Sequence, residues 1–373
     1  LGANSIVCEI LPYELDPNIS YIQVEDSSIA LGIISSNYYN NPSSKLKLIG
    51  ITGTNGKTTT VTLLYNLFKL LGHKVGLLST VINKIDDIEV HSTHTTPDAI
   101  EINKLLADMY RQECEFVFME VSSHAVSQNR ISGLNFIGGV FSNITRDHLD
   151  YHSTFENYIL AKKKFFDLLP SSAFALINLN QEHSKRMIAD TKARVFSYAL
   201  NSNANYKGEI INNDFSGLNL EINSKKVSSK LIGQFNAYNI LSAYSTAILL
   251  DQNEELVLSA IKKIDAPEGR FEYYISQNDI RAIVDYAHTP DALENVLKTI
   301  NAIRTGKEKL ITVLGCGGDR DKGKRPLMAK IACDYTNKLI LTSDNPRTEN
   351  PKDIISDMQE GMQKACYEKT LSI

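Results

Sequence analysis

Nowhere in the 373 residues does an apolar run approach the roughly 18–20 residues that a membrane-spanning helix needs, so no membrane partner is expected. There is no basic tail either. The 39 Lys and Arg stand against 43 Asp and Glu, a net charge of −4, and nucleic acid is therefore not an expected partner. The chain opens Leu1-Gly2-Ala3-Asn4, without the basic and apolar segments of a signal peptide. Its five cysteines (Cys8, Cys114, Cys316, Cys333, Cys366) are odd in number and share no close spacing. That pattern points to reduced thiols in a cytoplasmic protein rather than to a disulfide framework or a zinc site. What remains is 43% hydrophobic and 22% charged, enough to bury several cores and to exclude disorder. At about 150 residues per domain the length suggests two or three domains.

The order of patterns is α/β. Residues 1–44 are short and mixed, closing in Asn40-Asn41-Pro42-Ser43-Ser44. Leu46–Ile51 reads as a buried strand and Thr58–Leu71 as a helix with apolar residues at helical spacing, stopped by Gly72. Further strands are expected at Val75–Leu78, Phe116–Val121, Gly139–Ser142 and Ala173–Asn178, with a helix over Thr154–Leu169. Such alternation argues for a parallel, doubly wound sheet. From 194 to 232 the texture changes to short strands with Asn and Gly turns, which suggests an antiparallel patch at the sheet's edge. Helices resume at Asn236–Leu250 and Glu254–Ile264, and Ala266-Pro267-Glu268-Gly269 reads as a hinge. A second α/β series then runs Ile280–Asp285, a helix from Pro290, Leu310–Leu314, Pro326–Tyr335, Lys338–Thr342 and Pro351–Ala365. There is no internal repeat.

Gly50-Ile51-Thr52-Gly53-Thr54-Asn55-Gly56-Lys57-Thr58-Thr59-Thr60 joins the first buried strand to the first long helix, the setting a phosphate-binding loop requires. Glycines let backbone N–H groups approach phosphates, and the helix N-terminus adds a positive dipole end. Lys57 would reach the β- and γ-phosphates, and the Thr58 hydroxyl would serve Mg²⁺. The usual form has glycine five residues before Gly56, where this chain has Ile51.

The string Gly-Thr-Asn-Gly-Lys-Thr-Thr, residues 53–59, resembles the ATP loop of the Mur ligase family, which includes folylpolyglutamate synthase. The resemblance implies an ATP-dependent amide-forming ligase of three domains, with Gly53, Thr54, Asn55, Gly56, Lys57, Thr58 and Thr59 on the nucleotide. Glu120 ends an apolar strand, and a carboxylate there faces the crevice of an α/β sheet. His148 follows another strand. Imidazole is an uncommon Mg²⁺ ligand, and composition alone would make His148 a capping or hydrogen-bonding residue. The family resemblance makes it a metal ligand beside Thr58 and Glu120. In Tyr158-Ile159-Leu160-Ala161-Lys162-Lys163-Lys164, the residues alone describe a basic, solvated helix face. The resemblance implies instead that Lys162 is carbamylated and holds a second Mg²⁺. Lys57, His148 and Lys162 are the implied catalytic residues.

The string Glu-Val-Ser-Ser-His-Ala-Val-Ser-Gln-Asn-Arg, residues 120–130, is similar to the branch of the family that adds the third residue of the peptidoglycan stem peptide. Read alone, Thr95-Thr96-Pro97-Asp98 and Ser122 are ordinary helix caps. The resemblance implies that Thr95, Thr96, Ser122, Gln128 and Arg130 hold UDP-MurNAc-L-Ala-D-Glu. It also implies that Asn236 and Asn239 contact adenine and that Asp285 and His288 face the nucleotide. Gly315-Cys316-Gly317-Gly318-Asp319-Arg320-Asp321-Lys322-Gly323-Lys324-Arg325 reads as a basic glycine-rich turn near a crevice. Asp344-Asn345-Pro346-Arg347 resembles the segment that marks selection of meso-diaminopimelate within the branch. The physics agrees. Arg347 can grip the carboxylate at that substrate's far end with a bidentate fork and would repel the ammonium of L-lysine. Arg320 is assigned to the same pocket.

The expectation is therefore a central P-loop-type doubly wound domain at 45–266 and a C-terminal Rossmann-like α/β domain at 267–373. Residues 1–44 would be the tail of an N-terminal uridine-binding domain. The family continues past Ile373 to a Gly-Lys-Gly-His-Glu segment, so the chain reads as cut from a longer, monomeric, cytoplasmic ligase. The reaction implied is addition of meso-diaminopimelate to the D-Glu of UDP-MurNAc-L-Ala-D-Glu through an acyl phosphate. Its rivals are the same reaction with L-lysine, a folylpolyglutamate synthase-like ligase, and a nucleotide-binding fragment without catalysis.

Overall fold

The computed structural model describes residues 2–92, 94–278 and 280–373. Two short strands, β1 (Ser5–Cys8) and β2 (Ser20–Gln23), pair in parallel and lead into helix α1 (Ser27–Tyr38). The Asp26 carboxylate starts that helix by accepting from the Ser28 and Ile29 amides, the N-cap bond that satisfies otherwise orphaned donors. None of these elements is expected from sequence, because the segment shows neither a sustained period 2 nor a clear amphipathic stripe.

β3 (Lys47–Thr52) is buried from its second residue onward, which is why it reads as an unbroken apolar run. It feeds helix α2 (Lys57–Leu70), then β4 (Val75–Leu78) and the unforeseen hairpin β5 (Ile82–Ile85) and β6 (Ile88–His91). The chain continues through α3 (Ala99–Arg111), β7 (Phe116–Glu120), α4 (Ser123–Ser127), β8 (Gly138–Phe141), α5 (Leu149–His152) and α6 (Phe155–Asp167). After β9 (Phe174–Asn178) and the single turn α7 (Ser184–Met187) come β10 (Arg194–Leu200), β11 (Tyr206–Asp214), β12 (Gly217–Ile222) and β13 (Lys225–Ser229). These strands form one eleven-stranded sheet in the order β13-β12-β11-β10-β9-β8-β3-β7-β4-β5-β6.

The expected antiparallel patch needs correction. β10 and β11 extend the sheet in parallel beyond β9, and antiparallel pairing starts only at β11–β12 and continues to β13. The turn residues after 200 marked strand ends without revealing strand direction. One face of the sheet is covered by α2 with α8 (Gln234–Leu249) and α9 (Glu254–Ile261), the other by α3 and α6. Phe68 of α2 packs against Phe116 and Phe118, tilted to one ring and edge-on to the other, with ring centroids 4.5 and 5.0 Å away. Gly50 lets α6 approach β3, since a Cβ there would lie 2.5 Å from the Phe165 ring.

The C-terminal part differs in detail from the expected α/β series. Its first strand, at the segment expected as Ile280–Asp285, does not join the parallel sheet. Instead β14 (Glu272–Ile275) and β15 (Arg281–Val284) form a separate antiparallel pair. Then come α10 (Pro290–Ile303), β16 (Ile311–Leu314), α11 (Lys324–Tyr335), β17 (Lys338–Leu341), α12 (Pro351–Gln359), the turn α13 (Lys364–Tyr367) and β18 (Thr370–Ser372). β16, β17 and β18 form a parallel sheet with its own core. The helix expected over Pro351–Ala365 stops at Gln359. Gly361 crosses so close to α11 that a Cβ would meet the Pro326 carbonyl oxygen at 1.9 Å.

The expectation of five reduced thiols is also corrected. Cys333 and Cys366 form a disulfide with a Cα–Cα distance of 5.9 Å, tying α11 to α13. Their 33-residue separation carries no signal in sequence. Cys8, Cys114 and Cys316 are free. Among the described residues, no helix is long and apolar enough to cross a membrane.

Candidate active site

The loop between β3 and α2 opens into a cavity of about 1410 Å³ between the large sheet and the C-terminal part. A pocket for one small molecule spans about 300–1,000 Å³, so this volume suits more than one substrate. Gly56 takes φ 84° at the start of α2, and a Cβ on it would lie 2.6 Å from Asn239 Oδ1. Glycine is required there for both reasons. The loop is clamped from the strand beside it. The Asn55 amide donates to Asn143 Oδ1 (2.8 Å), while Ser142 Oγ and Asn143 Nδ2 donate to the Asn55 carbonyl (2.7 and 2.9 Å). Thr54 Oγ1 lies 3.0 Å from the Tyr158 hydroxyl.

Two lysines converge on one carbonyl. Lys57 Nζ donates to the Gly53 and Thr54 oxygens, both at 2.9 Å, and Lys162 Nζ donates to the same Gly53 oxygen at 2.8 Å. Lys162 also lies over the Tyr158 ring, 4.8 Å from its centroid, and is 1% exposed. The solvated basic face therefore describes its neighbours, with Lys163 paired to Asp167 and Asp190, but not Lys162 itself. Burial, and then the Lys57 charge, push the Lys162 amine well below the usual lysine range. Burial likewise lowers Lys57, with Glu120 and Asp147 acting the other way.

Glu120 ends β7 fully buried. Its Oε1 accepts from the Thr80 amide (2.8 Å), and its Oε2 lies 3.1 Å from Thr80 Oγ1. His148 has φ 54° and sits 3.3 Å from Asp147 Oδ2, while His288 from the C-terminal part approaches the same oxygen at 3.8 Å. Burial pushes the His148 imidazole well below its ordinary value, with the Asp147 charge acting the other way. Burial works to raise Asp147, but the two histidines and Lys324 outweigh it and hold the carboxyl below its ordinary value. Among the described residues no three His, Cys, Asp or Glu side chains converge to hold a metal alone. Mg²⁺ normally takes one or two carboxylates and completes its shell with substrate phosphates and water. The Thr58 hydroxyl and Glu120, both on the cavity wall, fit that donor set.

Asn236, Asn239, Asp285 and His288 line the cavity. Asn239 Nδ2 donates to Asn236 Oδ1 (3.0 Å), and Asp285 accepts from the Phe271 and Ala287 amides, both at 2.8 Å. Sequence reasoning missed Arg270, whose Nη2 donates to Thr58 Oγ1 at 3.0 Å while the guanidinium stacks on Tyr286. It also missed Asp291, whose Oδ2 accepts from Asn55 Nδ2 at 3.0 Å, and Thr80 and Asp147. Arg270 stands beside the expected hinge, but nothing local links it to a loop 212 residues earlier.

The residues assigned to the nucleotide-sugar substrate divide. Thr95 lines the cavity, 3.1 Å from Thr80 Oγ1. Thr96, Ser122, Gln128 and Arg130 lie off its wall and bond locally. Thr96 Oγ1 donates to the Glu120 carbonyl, Ser122 caps α4, and Arg130 bonds Gln128 Oε1 (2.9 Å) and the Thr96 carbonyl (2.8 Å). The capping described by the residues alone is what Ser122 does here.

Across the cavity stand Arg320, Asp344, Asn345 and Arg347, from the loops that follow β16 and β17. The two loops are stitched together, with the Gly318 amide on the Asn345 carbonyl (2.9 Å) and Arg347 Nη1 on the Gly318 carbonyl (2.6 Å). Pro346 presses its own carbonyl oxygen to within 1.9 Å of where a Gly318 Cβ would be. Gly318→Ala is expected to lower stability by about 1–3 kcal/mol, as overpacking does. A thermal melt indistinguishable from the unaltered chain would contradict this packing.

Known proteins compare as follows. Residues 51–247 match the Mur ligase middle domain, and residues 269–372 match the Mur ligase glutamate ligase domain. A protein of Cytophaga hutchinsonii named UDP-N-acetylmuramoyl-L-alanyl-D-glutamate--2,6-diaminopimelate ligase is 55% identical over all of this chain and 76% of its own length. A protein of the same name from Bacteroides fragilis is 52% identical, covering 100% of this chain and 77% of that one. A solved structure of a ligase so named is 33% identical with a TM-score of 0.69, covering 95% of this chain and 74% of that one. Mycobacterium tuberculosis folylpolyglutamate synthase complexed with ADP, at 16% identity, shares the fold with a TM-score of 0.71 over 93% of this chain and 85% of its own.

Proposed function

Because the chain belongs to the Mur ligase family, we infer that it uses ATP to join diaminopimelate to the D-glutamate of UDP-MurNAc-L-Ala-D-Glu in peptidoglycan synthesis. The acceptor we propose is the meso isomer. The observation that carries this reading is that Lys57 and Arg347, from opposite ends of the chain, line one cavity. We further propose the division 1–44, 45–266 and 267–373, the last two parts meeting at that cavity.

The chemistry proceeds in two steps. The γ-phosphoryl group of ATP passes to a carboxylate oxygen of D-Glu, ADP leaves, and an acyl phosphate forms. The amine of diaminopimelate then attacks the acyl carbon, the amide C–N bond forms and phosphate departs. In the first step the Gly53–Thr59 amides and Lys57 face the phosphates, and Lys57 offsets charge developing on the transferred group. Asn236 and Asn239 form the adenine side, and Asp285, His288 and Arg270 close the crevice from the C-terminal part. Thr58, Glu120 and His148 would hold Mg²⁺, with Lys162 as its carbamate serving a second ion. That metal supplies positive charge to the phosphoryl oxygens. In the second step Arg347, with Arg320, Asp344, Asn345 and Pro346, receives the acceptor's distal ammonium and carboxylate. On the sugar side we assign Thr95 directly, with Thr96, Ser122, Gln128 and Arg130 forming the bonded framework around it.

An acceptor screen tests the reading. Phosphate release is expected only when ATP, UDP-MurNAc-L-Ala-D-Glu and meso-diaminopimelate are all present. Equal turnover with L-lysine would refute the acceptor assignment, and turnover with a folate in place of the nucleotide-sugar would favour the folylpolyglutamate rival.

A further inference from the structure

The loop bearing Arg347 is held from behind by a pair that lies off the cavity wall. Arg325, at the start of α11, is fully buried, with its guanidinium forked onto Glu349. Nη2 donates to Glu349 Oε1 (2.8 Å) and to the Gly317 carbonyl (3.1 Å), while Nη1 donates to Glu349 Oε2 (3.0 Å) and Asp357 Oδ2 (2.7 Å). Glu349 Oε1 in turn accepts the Asp319 amide at 2.6 Å. One ion pair thus touches both loops, Gly317 and Asp319 on the first and Glu349 on the second. Asp319 and Arg347 both sit in the left-handed region, at φ 51° and 49°. Residues other than glycine stay there only where their surroundings enforce it. The Asp319 carboxylate completes the junction by accepting from Thr348 Oγ1 (2.8 Å).

We propose that Arg325 and Glu349 are positioning residues for acceptor selection: their forked pair fixes the two loops so that the Arg347 guanidinium is presented at one place. The proposal rests on the reading of Arg347 as the grip on the acceptor. A paired Arg–carboxylate fork constrains both distance and plane, which a single hydrogen bond does not. Glu349→Gln keeps the side chain's size but removes the charge and one acceptor. Arg325 is then left buried with Asp357 as its charged partner, and the Asp319–Thr348 junction beside Arg347 is free to shift. A displacement of about 1 Å at a binding group can cost up to about a hundredfold.

The test is steady-state ligation with each of the three substrates varied in turn, beside a thermal melt. Glu349→Gln is expected to raise the KM for meso-diaminopimelate by about tenfold or more, with the KM values for ATP and the nucleotide-sugar unchanged. The preference over L-lysine is expected to fall with that loss, and Glu349→Asp, which keeps the charge, to recover part of both. An unchanged acceptor KM in a folded variant, or a uniform rise in all three KM values, overturns the proposal. If Glu349→Gln does not fold, Arg325→Lys is read by the same criteria, since it keeps the charge and loses the fork. Arg347→Ala, measured in parallel, separates the two levels. If it leaves the acceptor KM unchanged, the reading of that loop fails. If it raises that KM while Glu349→Gln does not, only the positioning pair fails.

Discussion

Lys57→Met is expected to lower turnover by about 10²–10³-fold or more while leaving the melting temperature near that of the unaltered chain, the loss that follows removal of one group stabilising transition-state charge. The two halves of this prediction come from one geometry. The hydrogen bonds of Lys57 run to the carbonyls of Gly53 and Thr54 within its own loop, so no distant element depends on it. The loop is held instead by Ser142, Asn143 and Tyr158, which the substitution does not touch. ATP phosphates offer Lys57 better partners than carbonyl oxygens, because they carry full negative charge where a carbonyl oxygen carries only a partial one. Phosphate release and a thermal melt on the same preparation check both halves. A turnover within tenfold of the unaltered chain would remove Lys57 from the chemistry.

Lys162→Ala is expected to cost a similar factor, about 10²–10³-fold, and here a small molecule should restore part of the activity. Carbamylation joins the neutral amine to CO₂, forming an N–C bond and releasing a proton, so an ammonium held at its ordinary pKa would rarely react near pH 7. Burial and the neighbouring Lys57 charge both push Lys162 in the required direction. The product is an anion beside the Lys57 ammonium, which shares the Gly53 carbonyl with Lys162. Alanine leaves that space open, and acetate or another short carboxylic acid can enter it and return the missing carboxylate. The readout is turnover of the variant against carboxylate concentration. A variant of normal activity, or one that no carboxylate improves, sinks the carbamate.

What the sequence made legible was what contiguous residues encode. β3, the Gly53–Thr59 loop and α2 form one unbroken segment, so spacing predicts their order, while ATP as the ligand follows from the resemblance. β7 with Glu120 at its end, and the helix α6, are read the same way. Legibility ended where partners come from distant segments. Arg270 meets Thr58 across 212 residues, and Cys333 meets Cys366 across 33, neither within the reach of a local pattern. β14 and β15 failed for another reason. Ile280–Asp285 has a strand's composition, but composition does not state which neighbour it pairs with, and Glu272–Ile275 is too short to announce itself. Among the substrate residues, Ser122 is the instructive case, since the same hydroxyl that suits a sugar also satisfies a helix terminus, and the cap is what forms.

One contact described above also has a temporal side. Asn55 donates to Asp291, a partner 236 residues further along the chain. At about 5–20 residues per second of synthesis, the phosphate loop emerges roughly 10–50 seconds before the residue that completes it. During that interval β3 can pair with β7 and β8, and α8 and α9 can close over α2, while the Asn55 side chain has no Asp291 to meet. The Asn55 side chain therefore gains this partner only when the C-terminal part of the chain arrives.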